Sequence, residues 1–186
     1  MATNVCPLWM GHLLVSPVRR WITERPESLL GRYVREGMRV LEPGPGMGFF
    51  TLPLARMVGS TGRVIAVDIQ PRMLDKLEQR AFEAQLEERI EVREAEPERF
   101  TIPEWENTID FVLAFAVVHE MRSVEKFFHE AAAALKHRGL IFFAEPSGRV
   151  SDRQFEKELE AARWAGFVIA EEPYVRRNRA AVLRKV

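Results

Sequence analysis

The sequence has one cysteine, Cys6. A lone thiol rules out an internal disulfide framework and a Cys-rich metal site, and it suits a reducing cytoplasm. No apolar run reaches the roughly 18 residues that a membrane-spanning helix needs. The N-terminus lacks the basic-then-apolar pattern of a signal peptide, so export is not expected. Charge of one sign is missing too, because 27 Lys and Arg balance 27 Asp and Glu. A neutral chain has no bulk pull towards nucleic acid or anionic lipid. The cluster Arg176, Arg177, Arg179, Arg184 and Lys185 reads as the solvated face of an edge hairpin. Internal repeats and low-complexity stretches are also absent. What is present is 186 residues, 47% of them hydrophobic, enough for one soluble domain with a real core.

Short β-rich runs alternate with helical periodicity through the middle of the chain. "MRVLE" (38–42), "RVIAVD" (63–68), "RIEVRE" (89–94), "IDFVLAF" (109–115) and "LIFFAE" (140–145) read as five strands. Three are nearly continuous apolar runs, as parallel strands buried on both faces should be. Between them, 71–84 opens on Pro71 and carries the stripe Leu74, Leu77 and Ala81. The spacing predicts a second helix over 123–136, capped by Ser123 and stopped at Gly139. A third spans 151–165, where Ser151 and Gln154 form a capping-box pattern ahead of Phe155, Leu159 and Ala162. After Gly166, "FVIAEEPYVR" and "RAAVLRKV" flank a short turn. A link that short makes the two strands antiparallel, because a parallel return needs a dozen or more residues. The expected fold is α/β and Rossmann-like: a seven-stranded mixed sheet of five parallel βα units plus a C-terminal antiparallel hairpin, with helices on both faces. Residues 1–36, broken by Pro7, Pro17 and Pro26, are expected to form a separate helical segment ahead of a domain spanning 37–186.

The stretch "LEPGPGMGFFT" (41–51) sits between the first strand and the next helix. Glycines at 44, 46 and 48 clear side chains from a turn, as a nucleotide site requires. Their spacing is not the Gly-x-Gly-x-x-Gly of dinucleotide binders. Glu42 at the strand end puts a negative charge where a pyrophosphate would sit. Two unit charges ~4 Å apart repel by about 4 kcal/mol at an effective dielectric near 20. Asp68 ends the second strand, placed to accept from both hydroxyls of a ribose; a helix N-cap for the segment from Pro71 is the competing role. Together these residues describe a nucleoside with a cationic, non-phosphate tail. S-adenosylmethionine fits that description.

Here the sequence resembles the class I S-adenosylmethionine-dependent methyltransferases, in particular the small enzymes related to ubiquinone/menaquinone-biosynthesis methyltransferases. The resemblance runs over about residues 37–170 and rests on "VLEPGPGMG", "VIAVDIQPRML", "REAEPERF", "IDFVLAFAVVHEM" and "ALKHRGLIFFAEP". It implies a methyltransferase that uses S-adenosyl-L-methionine and releases S-adenosyl-L-homocysteine. It further implies that Glu42 takes the ammonium of the methionine moiety, while Gly44 and Gly46 let backbone reach its carboxylate and Gly48 aids helix approach. Asp68 would bind the ribose, with Ile69 and Met73 against adenine. Glu94-Ala95 would supply an acceptor for the adenine amino group and a backbone donor to a ring nitrogen, with Glu96 as a competing register. Phe115 would line the thioether end.

The methyl acceptor is not readable, but some chemistries are disfavoured. No Asn/Asp-Pro-Pro-Tyr/Phe follows the fourth strand, and Cys6 lies outside the motifs. Near the reacting end stand His119-Glu120 and Glu145. His119 titrates near neutrality and is a candidate base, set against a role at the start of the following helix. Glu145 would orient substrate or hold the fifth-strand turn, and Glu120 would complement a helix dipole. No metal site is expected. The expected partner is a small-molecule acceptor, with no nucleic acid and no membrane span; oligomeric state is open. Trp9, Met10, Leu13 and Leu14 would either pack on the core or close over the acceptor as a lid. Two other functions stay open: a non-catalytic S-adenosylmethionine or nucleoside binder, and, disfavoured by the glycine spacing, an NAD-dependent oxidoreductase.

Overall fold

The computed structural model describes residues 25–96 and 99–186. The chain divides into two compact units, Met1–Pro97 and Glu98–Val186. In the first, α1 (Pro26–Leu30) precedes β1 (Arg39–Pro43), α2 (Thr51–Met57), β2 (Arg63–Asp68), α3 (Pro71–Glu83) and β3 (Ile90–Glu94). In the second, β4 (Ile109–Phe115) leads through a 3-10 turn, Val118–Glu120, to α4 (Val124–Ala134). β5 (Leu135–Pro146), α5 (Asp152–Trp164), β6 (Phe167–Glu171) and β7 (Asn178–Lys185) follow. The seven strands are ordered β3-β2-β1-β4-β5-β7-β6. As expected, β1, β2 and β3 pair in parallel in the first unit and β4 with β5 in the second, while β7 runs antiparallel to both β5 and β6.

In the first unit, β1 and β2 bury every residue except those at their first positions. This is the pattern of strands covered on both faces. α3 begins at Pro71, whose fixed φ suits a first helical turn and whose missing N–H would have had no intrahelical partner. Its buried residues Met73, Leu74, Leu77 and Ala81 fall at helical spacing. α1 buries Leu29 and Leu30, and Val34 beyond it is buried as well. The described end of the expected 1–36 segment is therefore core material. Residues 1–24, with the expected lid residues Trp9, Met10, Leu13 and Leu14, lie outside the described residues.

In the second unit, Phe143 on β5 makes an edge contact with Phe128 of α4 and stacks on Phe155 of α5, with ring centroids 5.4 and 5.0 Å apart. Both helices thus cover the face towards which Phe143 points. Glu145, two residues along the strand, shares that face. Ser123 and Ser151 cap α4 and α5, accepting from the N–H groups of Lys126 and Gln154 at 3.1 and 3.2 Å. The capping box is only half built, because the Gln154 side chain turns along the helix to Glu158.

One boundary differs from expectation. The helix expected to reach residue 136 ends at Ala134, and Leu135 already pairs with Ile109 of β4. The N–H groups of Asn107 and Thr108 take the carbonyls of Ala133 and Ala134 at 2.9 and 3.1 Å. These long-range bonds override local helix preference, which is weak by comparison with tertiary pairing. Gly139 consequently sits inside β5. Among the described residues, no helix is long and apolar enough to cross a membrane.

Candidate functional site

The glycine turn is tied to the tips of β1 and β2. The Gly44 N–H donates to the Val67 carbonyl at 2.8 Å, which prolongs the strand pairing past Pro43. Gly44, Gly46 and Gly48 all have positive φ, at 67°, 54° and 84°. The last two do different work. A Cβ at Gly48 would stand 2.5 Å from Leu77 Cδ1, so this glycine lets α3 approach the turn. Among the described residues, a Cβ at Gly46 would meet nothing within 4 Å, so this glycine leaves the turn open. Arg80 of α3 reaches back to donate to the Met47 carbonyl, which holds the turn in place.

Two carboxylates flank this turn, Glu42 near the end of β1 and Asp68 at the end of β2, and both are buried. Burial pushes the Asp68 carboxyl up from its ordinary range, while N–H donors from Gln70, Gly46 and Ile69 pull it back. The Gln70 bond is 3.0 Å. Asp68 therefore has a structural duty as well, although the residue at the α3 N-cap is Gln70 and no side chain caps that helix. Ionised carboxylates offer about four acceptor positions, so three backbone donors leave room for a hydroxyl. Acids around an open glycine turn oppose a phosphate and suit a ligand that brings hydroxyl donors and a positive charge.

The other expected cofactor residues fall out unevenly. Ile69, at 41% exposure, offers apolar surface beside Asp68. Met73 is 2% exposed and belongs to the buried stripe of α3, so it presents almost no surface to a flat ring. Glu94 ends β3 and is exposed. The Ala95 N–H donates to the Asp68 carbonyl at 2.9 Å; a ligand nitrogen would have to compete with that bond for this donor. Glu96 is exposed. Phe115 ends β4 and is half-buried, followed by Ala116 in a left-handed conformation at φ 56°.

In the second unit His119 and Glu145 come together. Glu145 is 0% exposed and accepts from the N–H groups of Val118 and His119 at 2.8 and 3.3 Å. Its other oxygen bonds His119 Nδ1. Since a carboxylate only accepts, Nδ1 carries the proton and Nε2 is left with a lone pair. Among the described residues, His119 Nε2 is buried without a hydrogen-bond partner, and Glu120 Oε1 is 3.8 Å away. Burial of the ring works against its charged form, but the hydrogen bond and attraction of Glu145, helped by Glu120, outweigh it and raise the His119 pKa. His119 thus lies in a 3-10 turn held by Glu145, and the following helix starts only at Val124.

Sequence reasoning missed Glu158. It lies in α5, is 2% exposed, and has a buried Oε2 with no hydrogen-bond partner among the described residues. Burial and the nearby Glu145 push its pKa up to about 7. The signal was available, since Glu158 stands three residues after Phe155, inside the apolar stripe of its helix. Acids at such positions are rarely buried without cause.

Comparison with known proteins agrees with this architecture. Residues 33–143 match the family described as "Methyltransferase domain". The chain is 31% identical over 124 residues to a ubiquinone/menaquinone biosynthesis C-methyltransferase of Pseudomonas putida, across 67% of this chain and 44% of that protein. It therefore spans less than half the length of that relative. A crystal structure of a SAM-dependent methyltransferase from Aquifex aeolicus superposes with a TM-score of 0.84 at 25% identity, covering 97% of this chain and 98% of the other. The [4+2]-cyclase SpnF superposes with a TM-score of 0.74 at 18% identity, covering 87% and 80% of the two chains, a likeness of fold alone. By the family match over more than half its length, the chain belongs to the methyltransferase-domain family, among the class I S-adenosylmethionine-dependent methyltransferases.

Proposed function

We propose that this protein is an S-adenosylmethionine-dependent methyltransferase acting on a small-molecule acceptor in the cytoplasm. One observation carries the cofactor reading: buried Glu42 and Asp68 flank a glycine turn that is open at Gly46. In this reading Glu42 attracts the ammonium end of the ligand, and backbone at Gly44 and Gly46 approaches its carboxylate. Asp68 accepts from the ribose, Ile69 lies against the base, and Glu94 accepts from the amino group of adenine. Gly48 acts indirectly by letting α3 close on the turn. When bound, the cofactor supplies a methyl group on a sulfonium, already activated for displacement.

The chain's remaining task is to position an acceptor and remove its proton. His119 is assigned that role, with Phe115 lining the reacting end. Glu145 fixes the ring and its tautomer, so that Nε2 is the atom that takes the proton, and it stabilises the imidazolium that results. Only neutral imidazole can act as the base. Because Glu145 raises the His119 pKa, transfer should climb with pH through that raised value rather than through the ordinary 6.5.

The test is to incubate the full chain with S-adenosylmethionine and the small-molecule fraction of a cell extract, following S-adenosylhomocysteine by mass spectrometry. Product should form, and His119→Gln should slow it by roughly 10²- to 10⁴-fold, the usual contribution of a general base. Tight cofactor binding without product from any fraction would instead identify a non-catalytic binder. Normal turnover by His119→Gln would remove His119 from the chemistry while leaving the cofactor reading intact.

A further inference from the structure

Glu158 lies in the second unit with no part in the reaction described above. Phe155, one turn earlier on α5, stacks on Phe143 of β5. Glu145 is two residues beyond Phe143 and shares its face of the sheet. The helix therefore carries Glu158 onto the same side as Glu145, and the two acids repel. Both are almost fully buried, at 2% and 0% exposure. Glu145 receives two backbone N–H groups and the His119 ring. Among the described residues, Glu158 receives the uncharged Gln154 side chain, at 3.2 Å on Oε1, and its Oε2 has no hydrogen-bond partner. Two buried acids that repel each other do not both ionise readily, and the one with fewer donors is the one that keeps a proton. A bare carboxylate oxygen in that position would be far costlier than a neutral carboxyl.

We propose that Glu158 is a positioning residue for His119: it carries a proton in the resting cluster and, on releasing it, adds a negative charge that holds the imidazolium form of His119 against Glu145. This rests on the reading of His119 as proton acceptor, since it concerns how readily that ring keeps and releases a proton. Other charged groups face the cluster from each neighbouring element. Glu120 adjoins His119 on the turn after β4 and favours its imidazolium, whereas Arg149, ahead of α5, opposes it. Arg179 of β7 stands opposite Glu145 in the antiparallel register and donates to Asp152 at 2.6 Å. Glu158 differs from these in being buried, weakly bonded and close to half-protonated near neutrality, since its pKa lies at about 7. A rise in pH thus converts it from neutral to negative beside a ring whose own pKa is raised, so the two titrations are coupled.

The coupling can be read without substrate. NMR titration of the His119 ring in the full chain, assigned by its loss in His119→Gln, gives its midpoint in the wild type and in Glu158→Gln. An amide copies the protonated carboxyl but cannot ionise. The Glu158→Gln midpoint should therefore move to lower pH, and the inflection inherited from Glu158 should vanish. An unchanged midpoint in a folded Glu158→Gln protein overturns the proposal. Should that variant not fold, infrared spectra of the wild type decide: a protonated-carboxyl band that fades with a midpoint near about 7 supports it, and absence of that band overturns it. Neither spectrum depends on turnover, so a proton-acceptor role that fails in the transfer assay is told apart from a coupling that fails here.

Discussion

At the scale of single residues, the glycine turn separates two kinds of requirement. Gly48→Ala would force a Cβ to within 2.5 Å of Leu77 Cδ1, in a side chain that is fully buried and has little room to yield. It should lower the melting temperature more than Gly46→Ala, which adds only the left-handed strain of about 1–2 kcal/mol. Gly46→Ala should mainly weaken cofactor binding, because its Cβ points into open space. Thermal denaturation and calorimetry on the two variants check this, and equal effects on both readouts would contradict it. Asp68→Ala should weaken S-adenosylmethionine by roughly 10- to 150-fold, equivalent to about 1.5–3 kcal/mol for charge-assisted bonds. Its melting temperature has to be followed too, since Asp68 also accepts from the Gln70 N–H. The sequence singled out Glu42, the glycines, Asp68, His119 and Glu145 as candidates. It could not reveal that Glu145 holds His119, a pairing across 26 residues, or that Met73 points into the core. Side-chain direction comes from tertiary packing, and a motif does not carry it.

At the scale of elements, α5 carries a pH-dependent stability. Glu158 has a folded-state pKa of about 7 against an ordinary 4.5, so between these values the folded chain holds more protons than the unfolded one. Stability must then fall as pH rises through that window. His119, raised above 6.5, contributes stability that is fully present below 6.5 and is lost only at higher pH. Asp68, also raised by burial, adds a slope of the same sign, so the difference between wild type and Glu158→Gln from about pH 5 to pH 6.5 is what reports Glu158. The wild type should lose stability across that range, and Glu158→Gln should show a flatter profile. Identical slopes would mean that Glu158 titrates normally. Strand and helix existence was legible from apolar runs and caps, including Ser123 and Ser151. The end of α4 was not, because the bonds from Asn107 and Thr108 reach it from a distant part of the chain. Residues 1–24, expected either to pack on the core or to close over the acceptor, lie outside the described residues. Their deletion separates the two expectations: intact cofactor binding with abolished transfer would mark a lid, and a fall of several degrees in melting temperature with normal transfer would mark core.

At the scale of the whole molecule, alternating strands and helices closed by a tight hairpin made a seven-stranded mixed sheet readable, because a short link cannot return a parallel strand. The order β3-β2-β1-β4-β5-β7-β6 was not readable, since tertiary contacts decide which strands pair. The reaction is less tightly bound to the fold, as a cyclase of the same architecture makes plain, so function has to be argued from the site. The site's most specific property is its sign: in the proposed function, buried Glu42 and Asp68 beside the glycine turn favour a positively charged nucleoside over one carrying phosphates. Calorimetric titration of the full chain with S-adenosylmethionine and, in parallel, with NAD tests this most directly. S-adenosylmethionine should bind and NAD should bind far more weakly, with the preference reduced in Glu42→Gln. Tighter binding of NAD, or no binding of S-adenosylmethionine by the folded protein, would contradict it.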